Sequence, residues 1–325
     1  MNVGQLILGG RQKPGPSNML RPPEVHVHVE SAPARRPAAA HWAIKKALLA
    51  LFRRPLLSRK SANGGADALN QIAKEVPLNK KVCYLNTEDA PKWKDYMEVM
   101  AASLGIPADK FDKFDCFNGE FPPRDALARG DYIGVLINGS HYSAKDSALA
   151  WLPELFETLR FCAALETLNL VGICFGCQAL AVALGGDVGP NPDGSFEFGR
   201  CEVTLATKAQ LDCAMPACAC QIISHKGKMQ LLESHGEQVT KLPPGAKCLG
   251  CSNVTPNELY VAGQHRNVLG CQSHPEFDDS LLKERIEPAL REKQRLAPDF
   301  QYASECTSDQ LLGRRLLRHW ILRER

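Results

Sequence analysis

The sequence predicts an α/β protein built on an open, mostly parallel sheet, with helices on both faces and a small antiparallel excursion. Short apolar runs of strand length alternate with longer stretches of helical spacing, and strand, helix, strand in that order implies parallel pairing with right-handed crossovers. One run, residues 168–173, passes through Gly172-Ile173-Cys174-Phe175-Gly176 straight into an Ala/Leu-rich helix ending at Gly185 and Gly186. A second apolar run, within residues 268–277 (VLGCQSHPEF), breaks off into polar residues where a strand would end.

In chain order, Lys81–Asn86 (KVCYLN) is the first expected strand, followed by a turn with helix-start chemistry and a helix over residues 93–104. Residues 111–121 read as a connection bearing one short strand, and Tyr132–Ile137 (YIGVLI) as the next buried strand. Residues 146–165 place Leu149, Leu152, Leu155 and Phe156 at three- and four-residue spacing, the mark of a covering helix. Residues 185–199, rich in Gly and Pro, are expected to be loop. The runs 201–205, 219–223, 247–252 and 259–263 are expected strands of the antiparallel excursion. Helices are expected at 280–295 and Ser308–Leu322, the latter with Leu311, Leu312, Leu316, Trp320 and Ile321 on one face.

Residues 1–76 read as a basic, low-acid extension ahead of a domain spanning 77–325. Residues 1–60 carry eleven Lys/Arg against only Glu24 and Glu30, whereas the remainder is net −6, which disfavours a nucleic-acid-binding body. Within the extension, residues 41–57 interleave apolar and basic groups at roughly helical spacing, as in an organelle transit peptide or a surface-seeking helix; the alternative is a disordered leader without an address. No apolar run reaches the roughly 18 residues of a membrane span. The thirteen cysteines are odd in number and scattered, as in a reducing compartment, so a cytoplasmic location is expected, with plastid or mitochondrion as the alternative. The pairs Cys174/Cys177 and Cys248/Cys251 make a weak zinc pattern, since one lies on the sharp turn and the other would point to opposite faces of a strand; no metal and no cofactor is expected.

Chemistry is concentrated at Cys174. A nucleophile on a tight strand-to-helix turn needs small neighbours, which Gly172 and Gly176 supply, and the positive end of the following helix helps to lower a thiol pKa. His274 and Glu276 fall just beyond another strand end, and strand ends on one edge of an open sheet converge on one crevice. Cys174, His274 and Glu276 therefore read as nucleophile, base and orienting carboxylate.

Taken together, GICFG-x-Q and SHPEF resemble the class I glutamine amidotransferase domain, over roughly residues 80–325, and look most similar to the free-standing GMP-synthase-like branch that includes plant γ-glutamyl peptidases. Ile137-Asn138-Gly139-Ser140 is similar to the family's oxyanion-loop motif, and the run from Glu233 to Val239, followed by Leu242-Pro243-Pro244-Gly245, to its SHGD-x-V…LP-x-G segment. The resemblance implies a flavodoxin-like fold, an oxyanion hole made by the N–H groups of Gly139 and Phe175, and substrate contacts from Gln178, Glu197 and His235, Glu197 toward an α-amino group. One departure is Cys177, where many relatives carry His. The implied reaction is hydrolysis of a γ-glutamyl amide through a γ-glutamyl thioester, with γ-glutamyl peptides such as glutathione conjugates as substrate. The alternatives are a glutaminase subunit delivering ammonia to a separate synthetase, a catalytically silent binding module, and a relative of the intracellular cysteine protease and deglycase-like group.

Overall fold

The computed structural model describes residues 80–301 and 308–323. The expected extension over residues 1–76, with its apolar and basic stretch at 41–57, lies outside the described residues. Nine strands form one sheet in the order β2-β1-β3-β4-β11-β10-β9-β6-β7. Its first half is parallel: β1 (Lys81–Asn86), β2 (Phe111–Asp115), β3 (Tyr132–Ile137), β4 (Asn169–Ile173) and β11 (Val268–Cys271). The antiparallel strands β6 (Glu197–Leu205), β7 (Lys228–His235), β9 (Lys247–Cys251) and β10 (Leu259–Ala262) continue the same sheet, while β5 (Asp187–Pro190) and β8 (Glu237–Lys241) pair as a separate ribbon.

The alternation of side chains along β1 shows why the sheet is covered twice. Val82 and Tyr84 enter one apolar core and Cys83 and Leu85 the other, as the period of two in a strand requires. On the first face lie α1 (Tyr96–Leu104) and a long helix near the end of the chain; on the second lie α2 (Arg124–Arg129), α3 (Leu152–Ala163) and α4 (Phe175–Ala183). The mostly parallel α/β reading and both strand-flanked motifs therefore stand as expected.

Several local expectations are corrected. The apolar run at 219–223 is helical, within α6 (Ala217–Ile223), because Pro216 opens a helix rather than a strand and a five-residue apolar run has no period of its own. Ahead of it, α5 (Lys208–Ala214) is started by a capping box between Thr207 and Gln210, a T-x-x-Q pattern that the sequence displays. The segment 185–199 is not all loop, since β5 and the start of β6 fall in it, and the polar run from Lys228 to Lys241 forms β7 and β8. The helix expected over 146–165 is confined to α3, which starts beside Pro153. Beyond β11, α7 (Asp279–Leu281) passes through a π-helical turn, Leu282–Ile286, into α8 (Glu287–Glu292), and α9 (Ser308–Leu322) packs on the sheet.

Candidate active site

The parallel strands end at one level, with Ile137 paired to Gly172 and Ile173 to Cys271, so the residues that follow each strand meet at the carboxyl edge of the sheet. Cys174 occupies the turn between β4 and α4 with φ 50° and ψ −109°, a backbone region that L-residues avoid. Both flanking glycines are enforced by space. A Cβ on Gly172 would stand 2.4 Å from the Gly176 carbonyl oxygen, and one on Gly176 would stand 2.4 Å from the Ile137 carbonyl oxygen. The thiol is nearly enclosed, with Sγ 4.0 Å from the Ser234 carbonyl oxygen.

His274 Nδ1 lies 2.7 Å from Glu276 Oε1, and Tyr96 Oη donates to the same oxygen at 2.8 Å. Burial alone would lower the imidazole pKa, but the Glu276 carboxylate and the Cys174 thiol outweigh it and raise the pKa to about 10. Phe277 stacks on the imidazole with ring centroids 4.2 Å apart, and Trp93 stacks on Phe277 in turn. The backbone of the His274–Phe277 turn is pinned from α9. Gln310 Nε2 donates to the carbonyls of His274 at 3.0 Å and Phe277 at 3.1 Å, and Arg314 Nε donates to that of Pro275 at 2.7 Å.

The loop after β3 closes the other side. A Cβ on Gly139 would stand 2.9 Å from His274 Cε1 and 3.4 Å from Cys174 Cβ, so only glycine lets this backbone reach both residues. Phe175 opens α4, and the first N–H groups of a helix have no partner within it. Asn138 Oδ1 accepts from the Thr87 N–H at 2.8 Å, and Glu88 accepts from the His141 N–H at 2.9 Å, so this loop is tied to the one after β1.

The three residues expected at the substrate differ in placement. Gln178 lines the cavity in front of Cys174, although its amide already donates to the Glu237 carbonyl at 2.8 Å and to Gln272 Oε1 at 3.1 Å. His235 lines it too, with Nε2 turned toward Glu197 and Glu233 at 3.3 Å each. Glu197 is not among the lining residues; its carboxylate lies behind His235, beside Thr255. Cys177 is fully buried with Sγ 3.6 Å from Gln272 Oε1, and burial pushes its thiol pKa well up, which makes it an inert packing thiol.

Residues 123–288 match the family model "Glutamine amidotransferase class-I", about half the chain. The chain belongs to the class-I glutamine amidotransferases. Among relatives of this amidotransferase domain, γ-glutamyl peptidase 3 of Arabidopsis thaliana is 27% identical over 206 residues, covering 61% of this chain and 75% of the relative. A GMP synthase of Legionella pneumophila is 32% identical over 154 residues, 47% of this chain but only 27% of that protein. Two solved amidotransferase structures share the fold: one from Thermotoga maritima at 21% identity (TM-score 0.56; 75% of this chain, 99% of that one) and one from Methylobacillus flagellatus at 24% (TM-score 0.52; 76% and 92%). Among the described residues no helix is long and apolar enough to cross a membrane.

Residues missed by sequence reasoning hold the cluster around Cys174 and His274 in place. Tyr96, Trp93, Glu88 and Gln310 belong to no recognisable motif. A tyrosine and a tryptophan three residues apart at the start of a helical pattern were the only available signal, and it is shared by many core helices.

Proposed function

We propose that this class-I amidotransferase hydrolyses a γ-glutamyl amide bond through a thioester on Cys174, with γ-glutamyl peptides as its substrates. His274 Nε2 takes the thiol proton, since Nδ1 is committed to Glu276, and the sulfur attacks the γ-carbonyl carbon. The carbonyl oxygen becomes an oxyanion that receives the N–H groups of Gly139 and Phe175, a pair worth about 3 kcal/mol per donor in comparable sites. The C–N bond breaks as the imidazolium returns its proton to the departing amine, leaving a γ-glutamyl thioester. Water, deprotonated by the same imidazole, then attacks the thioester and releases glutamate and the thiol.

The observation that carries the choice of substrate is the cavity in front of Cys174. Its volume of about 570 Å³ suits a ligand considerably larger than glutamine. Its lining carries charges of both signs, Glu88 and Glu237 together with Lys92, Lys293 and Arg295. A γ-glutamyl peptide presents an α-ammonium group and the carboxylate of its leaving peptide, and a lining with acidic and basic groups offers partners for both.

A glutaminase working for a synthetase is the second reading, favoured by relatives named as GMP synthases. Glutamate release from glutamine, glutathione and a glutathione conjugate, measured for wild type and Cys174→Ser, decides between them. Cys174-dependent turnover of the peptides far above that of glutamine is expected. Turnover of glutamine alone, or only once a synthetase is supplied, would replace the peptidase reading with the second.

A further inference from the structure

Behind the cavity wall, three carboxylates carried by different strands meet one histidine. Glu233 and His235 are two residues apart on β7 and so share a face, Glu197 is paired with His235 across the β6/β7 ladder, and Glu258 directly precedes β10. His235 Nε2 stands 3.3 Å from both Glu197 Oε2 and Glu233 Oε2, and the donor atoms of Glu197, His235 and Glu258 all lie within 4.8 Å of one another. Water hardly reaches the cluster: Glu233 is 0% exposed, Glu258 1% and His235 3%.

With all three carboxylates ionised, such a group would carry too much negative charge for its surroundings. Among the described residues His235 is the one base within ion-pair distance of these carboxylates, so a single imidazole faces three acids in a low-dielectric interior. No carboxylate oxygen of Glu233 or Glu258 receives a well-aligned hydrogen bond, although Ser273 and Ser252 lie near them. His235 Nε2 makes a well-aligned hydrogen bond to neither neighbouring carboxylate. A separation of 3.3 Å is long for a charge-assisted N–H···O bond, which prefers about 2.7–2.9 Å. It is the spacing of two donors each about 2.0–2.1 Å from a shared tetrahedral cation.

We infer that Glu197, His235 and Glu258 form a buried site for one divalent transition-metal cation held by nitrogen and oxygen, with Glu233 beside it. The mixed imidazole and carboxylate set suits Zn²⁺ or Mn²⁺. The sequence offers no ligand spacing because the donors are drawn from three separate strands. The cation neutralises the cluster and ties β6, β7 and the start of β10 together directly behind Ser234, whose carbonyl touches Cys174. It takes no part in the reaction.

The full-length protein, produced without a polyhistidine tag in medium supplemented with Zn²⁺ and Mn²⁺, should contain about one equivalent of one of these metals by mass spectrometric elemental analysis. X-ray absorption at the metal edge should give a nitrogen and oxygen shell at about 2.0–2.2 Å without sulfur at about 2.3 Å. The metal should be lost in Glu258→Gln and kept in Cys248→Ser, which removes an exposed thiol. Wild-type protein without stoichiometric metal, a sulfur shell, or undiminished content in Glu258→Gln would each overturn the site. If Glu258→Gln does not fold, the wild-type content and absorption spectrum decide alone.

Discussion

Cys174 carries a conflict between stability and chemistry that can be measured. A non-glycine residue at φ 50°, ψ −109° stores on the order of 1–3 kcal/mol, against which the thiol offers its interaction with His274 and a long contact to the Ser234 carbonyl. Cys174→Gly should therefore abolish glutamate release while raising stability by roughly 1 kcal/mol, the strain relieved minus the extra backbone entropy of glycine. Denaturant unfolding of both proteins checks this, and an unchanged or lower midpoint would mean that the turn is unstrained. The His274–Glu276 pair makes a second prediction, in pH. Because the folded imidazole binds its proton more tightly than the ordinary value of 6.5, its contribution to stability is complete below that pH and is lost as pH rises toward about 10. Glu276→Gln removes the carboxylate that holds the proton. Its stability deficit relative to wild type should be largest near pH 6 and shrink toward pH 10, and the alkaline limb of kcat/KM should move to lower pH. A deficit that grows with pH would reverse the sign and refute the assignment.

At the scale of elements, what was legible in the sequence is what local chemistry dictates. The elbow at Cys174 was readable because two glycines around a thiol admit few other geometries, and the distances that a Cβ would meet at Gly172 and Gly176 account for them. The strands β1, β3, β4 and β11 were readable because they are buried on both faces and stand out as uninterrupted apolar runs. β7 and β8 were not, because one edge of this sheet and the ribbon carry Lys, Glu, Gln and His among their apolar residues, so their sequence looks like loop. The clamp on the catalytic loop was equally invisible. The apolar face of α9 announces packing, but nothing in a sequence says that the neighbouring Gln310 reaches three carbonyls of the His274–Phe277 turn and accepts from the Leu232 N–H as well. Gln310→Ala should cost about 1–3 kcal/mol by leaving those buried groups unpaired. It should also lower kcat roughly tenfold or more with little change in KM, since the loop that aims His274 is loosened while the cavity keeps its lining. Stopped-time assays across substrate concentration separate the two parameters, and a pure KM effect would place Gln310 outside the catalytic support.

At the scale of the molecule, the proposed reaction centre and much of the cavity wall come from different parts of the chain. Cys174, His274, Glu276, Gly139 and Phe175 all fall within residues 123–288, the portion that matches the family. Much of the cavity does not: Glu88, Lys92, Trp93 and Tyr96 come before it, and Ala289, Leu290, Lys293 and Arg295 after it. On the proposed mechanism, the cysteine centre is walled partly by residues outside the matched span, which is where a preference for one leaving group over another can be set without disturbing the proposed thioester chemistry. The basic wall is the part to alter. Lys92 is held by the Arg285 carbonyl, and Arg295 lies over the Phe196 ring, whereas Lys293 enters into neither contact. On the proposed binding mode, Lys293→Glu places a carboxylate where the leaving peptide's carboxylate would approach, and Arg295→Ala removes another cation from the lining. Both variants should raise KM for glutathione about tenfold or more, as expected for loss or reversal of one charged contact, while leaving any residual turnover of glutamine unaffected because its leaving group is ammonia. Steady-state kinetics with the two substrates side by side provide the test. A parallel loss on glutamine and glutathione would show that the basic wall serves the γ-glutamyl end common to both, and the preference for peptides would then have to come from the size of the cavity alone.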